Sequence, residues 1–118
     1  MVRRRHRWRD CRLLIATWKH ASRAHAPSGD GDVLLEVGAN IGMCTLEFLL
    51  TTRARVIAVE PNPLNLFYLT RSLHMAAEAE PAIKERVVVL PIGLGANASI
   101  ERISTLSLIH ISEPTRPY

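Results

Sequence analysis

Residues 33–42 read Val33-Leu34-Leu35-Glu36-Val37-Gly38-Ala39-Asn40-Ile41-Gly42, and the fold turns on how they are read. An apolar run broken by one acid enters a turn bounded by two glycines four positions apart. A short apolar run that ends in glycine predicts a strand over 33–37, buried on both faces. Ile41, Cys44, Thr45, Phe48 and Leu49 then recur at helical spacing, which predicts a helix over 41–51. Gly38 lets the chain leave the strand at a φ that a side chain disfavours, and Gly42 allows close approach at the helix start. By itself such a turn does no more than join a strand to a helix.

Working outward, residues 55–60 (Arg-Val-Ile-Ala-Val-Glu) form a second strand that Pro61 stops. Pro61-Asn62-Pro63 is a turn, with Pro63 suited to the first turn of a helix that runs to near Ala79. Pro81 marks a loop, residues 86–92 form a third strand, and Gly93-Leu94-Gly95-Ala96-Asn97 opens another loop. Strands alternating with helices in this way are parallel βαβ units. Right-handed crossovers place the strands in the order third, second, first. The fold class is therefore α/β, a Rossmann-like doubly wound parallel sheet in truncated form, with about three strands and two helices. The chain offers no fourth strand for the free edge of the first.

Composition narrows the function classes. The 118 residues make one small domain, with a net charge of +4 that is unevenly spread. Residues 1–26 hold seven Arg and one Lys against the single acid Asp10, whereas the remainder carries seven cations against ten acids. A mildly acidic body argues against nucleic-acid binding by the domain itself. The basic segment, residues 1–31 with its Pro27-Ser28-Gly29-Asp30-Gly31 linker, reads as a poorly ordered leader. An organelle-targeting segment and a phosphate-binding arm with Trp8 and Trp18 among the arginines are the competing readings. The compartment is thus cytoplasmic or organellar. Cys11 and Cys44 make no metal pattern, and Cys44 on a buried helix face reads as a small hydrophobe. No apolar run reaches the ~18 residues of a membrane span.

The chemistry starts from the glycine turn. A parallel strand, a glycine turn and a helix put backbone N–H groups at the C-terminal end of the sheet, where ligands bind. Glu60 closes the second strand eighteen residues past Gly42, in position to accept both hydroxyls of a ribose. A dinucleotide turn wants a second glycine where Asn40 stands, and a triphosphate site wants G-K-[ST] where Gly42-Met43-Cys44 stands. Glu36, on the rim, repels a pyrophosphate and suits a cationic group. A ribose, an ammonium and a sulfonium without phosphate describe S-adenosylmethionine.

Glu36-Val37-Gly38-Ala39-Asn40-Ile41-Gly42, together with Val59-Glu60-Pro61-Asn62-Pro63, resembles the class I S-adenosylmethionine-dependent methyltransferases, and in particular their FkbM group. The resemblance covers about residues 32–98. It implies that Glu36, Gly38, Ala39, Asn40 and Gly42 hold the methionine end of the cofactor, that Glu60 holds its ribose, and that Asn62 lies beside the adenosine. Ala96 stands where the family usually has an acid near the adenine, with Asn97 next to it. The family continues into a substrate-binding half that residues 106–118 do not match. On this reading residues 32–105 are a partial cofactor-binding domain, residues 106–118 a non-family tail, disordered or artefactual, and the fragment is inactive as written. The complete protein would transfer a methyl group to an oxygen of a small molecule or sugar. No catalytic base is expected here, because methyl transfer chiefly needs the acceptor held in line. The rival readings are a fragment of a dinucleotide-dependent oxidoreductase, an RNA-binding module led by the basic arm, and a fragment that does not fold alone. The acceptor and the oligomeric state are not fixed by these residues.

Overall fold

The computed structural model describes residues 9–25 and 32–103. Their order is α1 (Arg9–His25), β1 (Val33–Val37), α2 (Met43–Thr51), β2 (Arg55–Val59), α3 (Pro63–Ala79), α4 (Ile83–Arg86) and β3 (Val87–Leu90). The expected tail over 106–118 lies outside the described residues, as does Trp8.

The three strands make one parallel sheet in the order β1-β2-β3, with Val33 opposite Arg55 and Val56 opposite Val87. This is the order expected from the sequence. Leu34, Val56, Ala58, Val87 and Val89 share one face and meet Phe48 and Leu49 of α2 and Leu69, Leu73 and Ala77 of α3 in a single core. Both crossover helices therefore cover the same side. The other side carries two apolar rows, Leu35–Ile57–Val88 and Val37–Val59–Leu90. Leu35, Val37 and Val88 are each more than half exposed. The expectation of a first strand buried on both faces is thus corrected. Among the described residues the helices pack on one face of the sheet, so β1 alternates between covered and open positions.

The boundaries follow local chemistry. Gly42 at φ +87° is outside helical geometry, so α2 begins at Met43 and leaves Ile41 in the turn. Asn62 caps α3 by accepting from the amides of Leu64 (2.9 Å) and Asn65 (3.5 Å), and Pro63 occupies the first helical position. The short α4 takes up the start of the expected third strand and part of the loop before it. Its last residue, Arg86, donates to the carbonyls of Leu49 (2.8 Å), Thr52 (2.9 Å) and Ala54 (3.1 Å). Those acceptors lie at and just beyond the C-terminus of α2, where helical partners run out.

A second correction concerns the segment expected as a poorly ordered leader. Arg9–His25 is a helix with Cys11 and Ile15 buried. Trp18 meets Phe48 edge-on with ring centroids 4.8 Å apart, and the Ser22 hydroxyl donates to the Asp32 carboxylate. Cys11 is joined to Cys44 by a disulfide with Cα atoms 5.0 Å apart, so Cys44 is not the free buried thiol its spacing suggested. The apolar side of α1 is satisfied by α2 while Arg9, Arg12, Lys19 and Arg23 remain exposed. A helix of this kind gains its order from packing rather than from propensity.

Replacing Arg86 by Ala strands three carbonyls and should lower urea stability by about 2–3 kcal/mol. The exposed Arg53→Ala change should stay within about 0.5 kcal/mol, and comparing the two denaturation midpoints checks the assignment.

Candidate ligand site at the glycine turn

Three residues of the turn after β1 have positive φ: Gly38 at +79°, Asn40 at +56° and Gly42 at +87°. The two glycines do different jobs. A Cβ built on Gly42 would lie 2.3 Å from Leu69 Cδ1, so this position brings the turn onto α3. A Cβ on Gly38 would meet nothing within 4 Å, so packing does not demand glycine there; the left-handed backbone does, and it leaves open space beside the chain. The amides of Gly38 (2.8 Å) and Ala39 (3.0 Å) both donate to the Val59 carbonyl, which pins the start of the turn to the end of β2.

A half-open cavity of about 300 Å³ lies along this turn. It is lined by Glu36, residues 38–41 and Met43, and by Asp10, Cys11 and Cys44. Two of these residues are acids and none is a Lys or Arg. No side chain caps α2 at Gly42, so the first amides of that helix are not taken up by a capping group.

Glu36 stands on the covered face of β1 and accepts from Thr45 Oγ1 at 2.5 Å. Burial pushes its pKa above the ordinary 4.5, and the Thr45 hydroxyl offsets part of that rise. A folded-state pKa above the unfolded one means that the native state binds the proton more tightly. Stability therefore falls as pH rises from about 4.5 through the raised value.

Glu60 is only 5% exposed, and its carboxylate is heavily engaged. Oε2 accepts from the Asn40 amide (2.8 Å); Oε1 accepts from the Asn62 amide (2.9 Å) and from Asn65 Nδ2 (3.4 Å). A carboxylate has about four acceptor positions, so little capacity is left. Of the residues singled out in the sequence, Glu36, Gly38, Ala39 and Asn40 come together on the cavity. Gly42 is buried against Leu69, Glu60 lies between the two turns, and Asn62 is spent capping α3. Asn97, in the loop after β3, is exposed. Asp10, Cys11 and Cys44 also line the cavity. Asp10 and Cys11 reach it only because α1 folds back onto α2, which no local pattern encodes.

Among the described residues no helix is long and apolar enough to cross a membrane. No family model matches the chain, and neither curated proteins nor solved structures include a significant match.

Two predictions test the geometry. Gly42→Ala should cost about 2–4 kcal/mol through overpacking and backbone strain together, whereas Gly38→Ala should cost about 1 kcal/mol from backbone alone; paired denaturant titrations separate them. Glu36→Gln should remove the decline in stability above about pH 4.5, seen as a flatter plot of urea midpoint against pH than that of the unsubstituted chain.

Proposed function

We propose that the cavity is the methionine-end pocket of an S-adenosylmethionine site. The chain would then be the cofactor-binding half of an FkbM-like class I methyltransferase with a truncated Rossmann-like sheet. One observation carries the reading: the open space at Gly38 borders a cavity whose charged lining residues are both acids. A pyrophosphate is disfavoured there, and an ammonium or sulfonium is favoured. The ligand's carboxylate suits the uncapped amides that open α2, while its ammonium suits Glu36. Glu60 contributes by fixing both turns.

On this reading the chain binds and orients the cofactor, and holding the acceptor in line falls to residues not among those described here. Oxygen of a small molecule or sugar is the proposed acceptor. The RNA-arm reading loses support, because Trp18 is packed edge-on against Phe48 and not presented as a stacking surface.

The test is a calorimetric titration of the oxidised full chain with S-adenosylmethionine, using NAD as the control. Binding of the first and not the second is expected. Glu36→Gln should weaken it about 10- to 100-fold, the range for losing a hydrogen bond to a charged group. Preferential NAD binding, or no binding of either by a folded chain, would overturn the proposal.

A further inference from the structure

The Cys11–Cys44 disulfide lies on the wall of the ligand cavity, where α1 reaches the glycine turn. Cys44 belongs to the first turn of α2, and Cys11 to the first turn of α1, beside Asp10. The opening residues of α1 thus line the pocket together with Glu36 and residues 38–41. Further along, α1 is held independently by the buried Ile15, by the Trp18–Phe48 contact and by the Ser22–Asp32 hydrogen bond. Those three anchors all lie C-terminal to the pocket. Among the described residues ahead of Ile15 the disulfide is the one covalent tie; Cys11 is buried and Leu14 half-buried, while residues 9, 10, 12 and 13 are exposed.

We infer that the start of α1 is a removable wall of the ligand pocket, latched by the Cys11–Cys44 disulfide, so that the pocket holds a cationic ligand when the pair is oxidised and loses affinity when a dithiol reduces it. The ligand named rests on the reading of the cavity as an S-adenosylmethionine site; the latch itself does not. A dithiol thiolate attacks Cys44 Sγ, the more exposed of the two sulfur-bearing residues, and breaks the Cys11–Cys44 bond. Cys11 leaves as a thiolate and takes a proton. The second thiol of the reductant, as its thiolate, then displaces Cys44, which is also protonated. The protein gains two thiols, and the dithiol becomes a disulfide. Opening is confined to the residues before Ile15 because the later anchors contain no sulfur.

The experiment combines amide hydrogen exchange with S-adenosylmethionine titration of the full chain, oxidised and then reduced with dithiothreitol. A Cys11→Ser/Cys44→Ser variant is carried alongside. Exchange at residues 9–14 should accelerate on reduction while β2 and α3 stay protected, and affinity should fall about tenfold or more, within the usual range of coupling between two states. The double variant should behave as the reduced chain does and ignore the reductant. Unchanged exchange at 9–14, binding of equal measurable affinity in both redox states, or loss of protection throughout the chain would overturn the latch. Redox-dependent exchange at 9–14 without binding in either state would uphold the latch and overturn the ligand reading instead.

Discussion

The carboxylate of Glu60 ties together the two loops at the C-terminal end of the sheet. It takes the Asn40 amide from the turn after β1, and the Asn62 amide and Asn65 side chain from the turn after β2. The loop after β2 would otherwise leave the buried Asn62 amide unpaired, at a cost of about 1–3 kcal/mol. The arrangement requires Asn40 in its left-handed conformation and α3 starting where it does. Asn62 joins in through both its ends, since its amide feeds Glu60 while its side chain caps α3. The shape of the candidate pocket is therefore fixed from below, by a residue that hardly touches it.

The covered and open faces of the sheet have opposite characters. On the covered side, Val56, Ala58, Phe48, Leu49 and Leu69 are almost wholly buried. On the open side, two rows of apolar side chains run across all three strands, exposed at Leu35, Val37 and Val88 but buried at the central Val59. A patch of this kind on an edge-exposed sheet is where further structure or another chain is accommodated. Glu36 sits on the covered side with Leu34 and Ala58 as neighbours in the sheet, and for that reason its charge is costly to hold.

Much of the scaffold was legible because its signals are local. The 33–37 strand and the Pro63–Ala79 helix coincide with their expected limits, since glycine, proline and an Asn cap punctuate the chain there. The open face of β1 was not legible, because an apolar run looks the same whether one side or both are covered. The disulfide that holds α1 and the grip of Arg86 on the end of α2 depend on residues more than thirty positions apart in sequence. Nothing in the spacing of Arg86 separates it from a solvated cation. At the site, Glu36 was readable as an acid beside a glycine turn, whereas the roles expected of Ala39 and Asn40 rested on the family resemblance. Glu60 was readable as a strand-end acid, while its three donors come into view only with both turns folded.

The contact between Gly42 and Leu69 also bears on how such a chain can drift. The glycine is in the turn and the leucine is on the buried side of α3, with no space between them for even a methyl group. The two positions thus share one volume. Shortening residue 69 would open room at residue 42, but the left-handed backbone would still favour glycine there. A cavity next to the turn would therefore persist rather than be filled by compensation. Drift at residue 69 is expected to loosen the turn before it alters a single residue lining the pocket.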